Sequence, residues 1–461
     1  AKSGKWDASL FSLIGRFSYN YGGRYFITFT ARKDASSKFT EGNRSSFFPS
    51  VGVSYRLSQE KFMEKTAGWL NNLKIRYSYG SSGNQGVSSY QTFAMMTGGN
   101  YPFGNSINSG YVKDPYNPGN PILTWETTWQ HDAGIELELF RRLNIELDYY
   151  HKKTSDLLQK RQTAPSTGIM EILSNCGAVI NEGFEASVRL RAIDTKDFIL
   201  NVGGNISFNK NKVVDFGEDP MFPNSIYNSL RPYAIADGHP IGSFYGYQLD
   251  GLWRTREEVI ASNQFKTQYP DFDPSNPDAV TEEIIRRDWI GEYRYADRDG
   301  DGFITDKDQT WIGDANPDFY YGFNLDLSWK DFDFGMLFQG VKGNDIFNMN
   351  ALRYNNLGQT QNVPYDVYKS SFSHDSEHGT TRKIFYYDGR DGRFSRAYLE
   401  KGSYLKLRTL SLGYTFRNKI PHIEALRLSF VANNLFTITN YSGYDPEVNS
   451  FGSTPSLRGI D

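Results

Sequence analysis

The sequence predicts an all-β fold, a transmembrane antiparallel β-barrel. Three observations predict it: a ring-rich but modestly apolar composition, period-two alternation in segment after segment, and connections that are either very short or very long. Of 461 residues, 38% are hydrophobic but 16% are aromatic, with 31 Tyr and 33 Phe. That balance suits a sheet with one apolar face and one wet face better than a dry aliphatic core. No stretch approaches the roughly 18 uncharged apolar residues of a membrane-spanning helix. This excludes a helical membrane protein but not a barrel, whose alternating strands average out as polar. Lys+Arg 50 against Asp+Glu 53 gives a net charge of -3, so no general attraction to nucleic acid is expected.

The alternation runs in order along the chain. Tyr25, Ile27, Phe29 and Ala31 share one face, with Thr28, Thr30 and Arg32 on the other. Val51, Val53, Tyr55 and Leu57 repeat it, as do Leu73, Ile75, Tyr77 and Tyr79 against Lys74, Arg76 and Ser78. Hairpins follow. Ile135, Leu137 and Leu139 lead through 140–142 into Leu143, Ile145, Leu147 and Tyr149. Phe184 to Leu190 turns at 194–197 into Leu200 to Phe208, and Phe323 to Trp329 turns at Lys330 and Asp331 into Phe332 to Phe338. Leu410 to Phe416 is expected to pair with Leu426 to Phe430. Each is a strand–turn–strand signal, and about 13 candidate strands result.

The polar faces say what the strands enclose. Glu136, Glu138, Asn144, Glu146 and Asp148 share a face that cannot be buried dry, because unpaired buried carboxylates are too costly. That face predicts a wide, water-filled lumen. Tyr19, Tyr21, Trp125, Trp129, Tyr149 and Tyr150 are expected in aromatic girdles at the membrane interfaces. The connections 82–121, 215–239, 251–317 and 343–401 are rich in Gly, Asn, Asp, Pro and Tyr, and loops of such length usually carry function. Short turns on one side and long loops on the other are the asymmetry of an outer-membrane barrel in contact with lipid. A soluble sandwich or propeller has moderate loops on both sides.

One segment looks like a metal loop. Residues 297–308, DRDGDGFITDKD, place Asp297, Asp299 and Asp301 where carboxylates converge on one cation. Gly302 permits the sharp turn, the Phe303 carbonyl can ligate, and Thr305 and Asp308 complete the set, with Asp where a bidentate Glu normally stands. The expectation is a structural Ca²⁺ pinning the long loop 251–317; the alternative is an acidic loop capped by its own backbone amides.

Other chemistry is sparse. Cys176 is the only cysteine and cannot form an internal disulfide. The six histidines show no HExxH spacing, and His374 and His378 fall in a Ser/Asp/Gly loop. No nucleophile elbow, phosphate loop or dinucleotide fingerprint is present, so no catalytic residue is assigned and no enzyme is expected. Aromatic loop residues Tyr90, Tyr101, Tyr227, Tyr233, Tyr386 and Tyr387 are candidates for stacking on sugars or peptide side chains. The beginning, AKSGKWDASLF, has no signal-peptide pattern, and the end, SLRGID, is loop-like; both ends are expected to be cut.

Four longer motifs carry a resemblance. Residues 33–58, KDASSKFTEGNRSSFFPSVGVSYRLS, are similar to a hairpin signature of the SusC/RagA-type TonB-dependent transporters. NPILTWET at 120–127 looks like that family's lead-in to a strand, and 297–348 and 433–447 resemble its later segments in order. The resemblance implies a barrel of about 22 strands filled by an N-terminal plug, with this chain, 1–461, supplying the C-terminal part. The plug, the TonB box, the first strands and the last strand would then lie outside it. It also implies TonB-dependent import of an oligosaccharide or peptide in a Bacteroidota species, energised through TonB–ExbB–ExbD and covered by a SusD-like lipoprotein lid. The alternatives are a lid-free siderophore or cobalamin receptor, or a secreted calcium-stabilised carbohydrate-binding β-protein.

Overall fold

The alternating segments become strands, and each pairs with the next through the turn between them. In the computed structural model, which describes residues 6–217, 220–222, 231–355, 364–372, 379–383, 393–420, 423–443 and 445–447, twelve strands build one antiparallel sheet. They are β1 (Leu10–Tyr21), β2 (Tyr25–Ser36), β3 (Ser45–Arg56), β4 (Leu70–Asn84), β5 (Glu126–Leu139) and β6 (Leu143–Ser155), followed by β7 (Ala178–Asp194), β8 (Phe198–Val214), β9 (Phe319–Trp329), β10 (Phe332–Lys342), β11 (Tyr404–Ile420) and β12 (Ile423–Thr439). Sheet order is chain order throughout, an up-and-down meander. Within this sheet β1 and β12 are the edges, and all twelve residues of β1 are exposed.

The expected hairpins form. Leu139 faces Leu143 across a turn in which Phe140 and Arg141 have φ of 55° and 56°, the left-handed pair of a type I′ turn. Trp329 faces Phe332 across Lys330 at φ 54°. Leu412 pairs with Phe430 and Tyr414 with Leu428, as the pattern required.

Directly paired residues share a face, so the register shows which side is which. One row runs Ile75, Ile135, Leu147, Ala186, Ile206 and Tyr321 across six strands. Another runs Leu200, Leu327, Phe334, Leu412 and Phe430. The adjoining row on the opposite face is Lys74, Glu136, Glu146, Ser187, Asn205 and Gly322. The sheet therefore has one apolar and one polar surface along its length, and neither is a dry interior. Among the described residues, no helix is long and apolar enough to cross a membrane.

The buried core sits elsewhere. The side of the sheet with short turns carries only 22–24, 57–69, 140–142, 195–197 and 330–331 among the described connections, while the other carries 37–44, 85–125, 156–177, 215–318 and 343–403. Those long connections are folded rather than structureless. Phe39, Phe48, Val87, Leu123 and Trp125 form one cluster, and Phe244, Ile312, Phe347, Leu352, Phe394, Tyr398 and Leu399 form a second. A third, of Trp253, Val259, Phe265, Ile285 and Trp289, closes around three short helices, Arg256–Ala261, Asn263–Gln268 and Ala279–Ile284. Thr255, Ser262 and Asp278 cap these helices by accepting from the amides of Glu258, Phe265 and Thr281. Each large ring buried in such a cluster contributes roughly 1.5–3 kcal/mol.

Two girdle assignments need correction. Trp125 is buried, donating its ring nitrogen to the Arg44 carbonyl at 2.9 Å, because its strand begins only at Glu126. Tyr150 lies on the polar face, its hydroxyl donating to Asn209 Oδ1 at 2.8 Å. Tyr19, Tyr21, Trp129 and Tyr149 are exposed on the apolar side. The hairpin Leu158–Gln162 with Glu171–Asn175, within 156–177, is a folded connection that the alternation did not single out.

Candidate functional site

The polar face of β4 to β6 is organised around Arg76. Arg76 on β4 reaches Glu146 at 3.0 Å and Asp148 at 2.6 Å, with Glu136 at 3.4 Å and Asp132 at 3.7 Å, while Lys74 holds Glu136 at 3.0 Å. The carboxylates that predicted a wet lumen are thus present on one face but neutralised in part by Arg76, whose role no local pattern signalled. Gly134 makes room for this: a Cβ there would lie 2.4 Å from Asp148 Oδ1 and 2.7 Å from Arg76 Nε. A shallow cavity of about 210 Å³ opens beside it, lined by Thr28, Ser54, Lys74, Arg76, Ser78 and Asp132 among others.

A second polar cluster closes the loop side of β11. Lys406, 2% exposed, is held by Asp445 at 2.9 Å and Glu447 at 2.5 Å, and Tyr404 donates to Glu447 at 3.1 Å. Arg408 also pairs with Glu447. These acids belong to the segment 433–447, so the chain leaving β12 folds back over the strand beside it. A buried lysine needs such partners.

The acidic loop 297–308 lies beyond β8, in the third cluster's neighbourhood. One carboxylate oxygen each from Asp297, Asp299 and Asp308 lies within 4.8 Å of the others. Ligand oxygens of one calcium ion stand 2.3–2.6 Å from it, so oxygens this close can share an ion. None of the described ion pairs involves Asp297, Asp299, Asp301 or Asp308. Asp301 is outside this trio and accepts from the Phe303 amide at 2.7 Å; the Phe303 side chain is exposed, and the Thr305 hydroxyl is engaged in a capping box with Asp308. The alternative is also visible: Asp297 accepts from the amides of Gly300 and Gly302 at 2.8 and 2.9 Å, and Asp308 from those of Arg298 and Thr305, both at 2.7 Å. Burial alone pushes Asp308 up, but the Thr305, Arg298 and Asp299 amides outweigh it and hold the carboxyl below its ordinary value. Gly302 has φ +86°, and a Cβ there would lie 2.3 Å from Thr267 Oγ1. Asn263 and Gln268 on the helix Asn263–Gln268 donate to the Gly300 and Gly302 carbonyls at 3.0 and 3.2 Å, fastening the loop to the folded connection.

The candidate stacking rings are dispersed. Tyr90 is exposed with φ 66°, and Tyr101 sits on the protruding hairpin Met96–Phe103 with Ser106–Lys113, its hydroxyl donating to the Tyr111 carbonyl at 3.2 Å. Tyr233 stacks on Phe244 at 5.1 Å within the second cluster. Tyr227, Tyr386 and Tyr387 lie outside the described residues, as do His374 and His378. Cys176 is half-buried, packed on the cluster of Val179, Val213 and Phe216.

A meander with an apolar outer and charged inner face, short turns at one end and folded loops at the other, defines the wall of a membrane β-barrel. The chain belongs to the TonB dependent receptor-like β-barrel family, whose model matches residues 5–330. It is 33% identical to TonB-dependent receptor P3 of Formosa agariphila over 98% of this chain and 45% of that protein. It is 26% identical to TonB-dependent receptor SusC of Bacteroides thetaiotaomicron over 96% of this chain and 42% of that one. The chain thus spans less than half the length of these relatives. Among solved structures, the RagAB peptide transporter matches with a TM-score of 0.75 and 24% identity, over 95% of this chain and 45% of that one. The likeness to RagAB confirms the barrel fold expected from the alternation.

Proposed function

We propose that this chain forms part of the barrel of an outer-membrane importer that takes up an oligosaccharide or a peptide. In this reading the long connections face outward and the short turns face the periplasm. Substrate is captured between the folded connections and a SusD-like lipoprotein lid, then passes the polar lumen when TonB, driven by ExbB–ExbD, displaces a plug. The observation that carries it is the polar lumen face, with Arg76 and its four carboxylates towards one edge of the sheet, beneath a wide array of folded loops. No covalent step is assigned to the barrel. The RagAB peptide transporter, whose fold this chain shares, supports a peptide as one substrate class. Extraction of the protein from its own outer membrane in mild detergent should recover a tightly bound surface lipoprotein; recovery of the barrel alone, reproducibly and at low detergent, contradicts the lidded reading.

We also propose that Asp297, Asp299 and Asp308 hold Ca²⁺, assisted by the Phe303 carbonyl, and that Asp301 and Thr305 shape the loop. Three convergent carboxylates without a neutralising cationic side chain support it. The ion would pin the loop and take no part in transport chemistry. Calcium titration should raise the resistance of 251–317 to proteolysis, and Asp297→Asn should abolish that response. Equal protection of both proteins by calcium removes the ion from the account.

A further inference from the structure

Four lysines stand off the lumen face, and only Lys153 among them has an ion pair among the described residues. Lys153, Lys210, Lys212 and Lys342 stand at the loop-side ends of β6, β8 and β10. Period two puts Lys153 on the face of Leu147 and Tyr149, and Lys210 and Lys212 on that of Ile206 and Phe208, while Lys342 pairs directly with Phe319. All four therefore project from the apolar side of the wall.

The register stacks Lys153, Lys210 and Lys212 above rings and sets Lys342 beside one, Phe319. One row runs Tyr149, Phe184 and Phe208, with Phe319 5.5 Å from Phe208. The next row towards the loops is His151, Glu182 and Lys210, and the next is Lys153, Ile180 and Lys212. Lys153 and Lys212 flank Ile180 and so stand about 10 Å apart, two strand spacings. Lys210, Lys212 and Lys342 make no ion pair among the described residues and are exposed. Lys153 has Asp215 at 3.6 Å, 75% exposed, and Glu182 faces His151 at 3.7 Å, so two carboxylates sit among four lysines and the strip stays cationic.

A lysine layer beyond a ring layer, on the lipid side of a wall, lies at headgroup depth, where its stems cover apolar surface and its ammonium groups meet anionic lipid. Resting on the orientation proposed above, we infer that Lys153, Lys210, Lys212 and Lys342 form a strip that binds the phosphate groups of a lipid A-type glycolipid in the outer leaflet. The occupant follows from charge complementarity and from the continuity of the strip with the ring layer.

The test uses the detergent-extracted protein from its own membrane, with native mass spectrometry and three probes: lipid A, enzymatically dephosphorylated lipid A, and phosphatidylglycerol. Retention of lipid A should fall roughly tenfold or more when all four lysines become alanine, and dephosphorylated lipid A should bind the unaltered protein no better than that. The set Lys153→Arg, Lys210→Arg, Lys212→Arg and Lys342→Arg should keep lipid A bound. Lysine-independent retention, or equal retention with and without phosphate, overturns the strip; equal, lysine-dependent retention of phosphatidylglycerol overturns the glycolipid assignment. A heat-dependent gel shift separates the two levels. Its absence from the unaltered protein defeats the barrel reading itself, whereas its presence with lysine-independent binding defeats only this inference.

Discussion

Single side chains decide the local architecture at two places. Gly302 combines a left-handed φ with an approach to Thr267 that admits no Cβ, so Gly302→Ala should cost roughly 1–3 kcal/mol of local stability. Limited proteolysis should show faster cleavage within 251–317 while the barrel stays resistant; unchanged cleavage would mean that the loop tolerates the strain. Asp308 adds a pH dependence with a defined sign. Its folded pKa lies below the ordinary 3.8, so its stabilising effect is full above that value and is lost as pH falls through the folded pKa. Fluorescence of Trp253 and Trp289 in the adjoining cluster should change as the medium is acidified below 3.8, and Asp308→Asn should remove that step. On the polar face, Arg76→Ala leaves Asp132, Glu136, Glu146 and Asp148 facing one another. It should destabilise the barrel by about 2 kcal/mol, discounted from the buried-pair range because Arg76 is 31% exposed. The temperature of the gel-mobility transition reads this, and no change would show that water already screens the group.

At the scale of the strand, alternation makes neighbours unequal. Leu147 projects to the apolar side and Glu146 to the polar side of β6. Leu147→Arg should cost about 2–4 kcal/mol and lower the yield of assembled barrel, while Glu146→Gln should leave yield close to normal. Equal effects on assembly would place water on both sides of the sheet. This period is also why the strands were legible from sequence: Ile135, Leu137, Leu143 and Ile145 encode their face directly, whatever lies next to them. What was not legible depends on distance along the chain. Arg76 meets Asp148 across β5, Lys406 meets Glu447 across a returning segment, and Trp125 is buried by Phe39 from a different connection and by Phe48 from β3. The type I′ turn at Phe140 and Arg141 was legible only from the strands around it, since neither residue is one that left-handed turns usually select. The acidic loop gave its ligand spacing in sequence, but only the structure separates Asp301 from the trio of Asp297, Asp299 and Asp308.

At the scale of the whole molecule, the division of labour follows from the two solvents. The wall keeps no dry core, because its outer face is apolar and its inner face charged. The connections on one side bury Phe244, Phe265, Trp289 and Tyr398 as a soluble domain would. Membership of the TonB dependent receptor-like barrel family gives this division its setting. Everything in that scheme depends on the wall separating lipid from water. The most direct test is spin-label accessibility scanned along residues 144–149 of β6 in the assembled outer membrane. Labels at Ile145, Leu147 and Tyr149 should be relaxed by lipid-soluble oxygen, and those at Asn144, Glu146 and Asp148 by a water-soluble nickel chelate. Uniform accessibility to the chelate, or alternation of the opposite phase, would contradict the barrel wall.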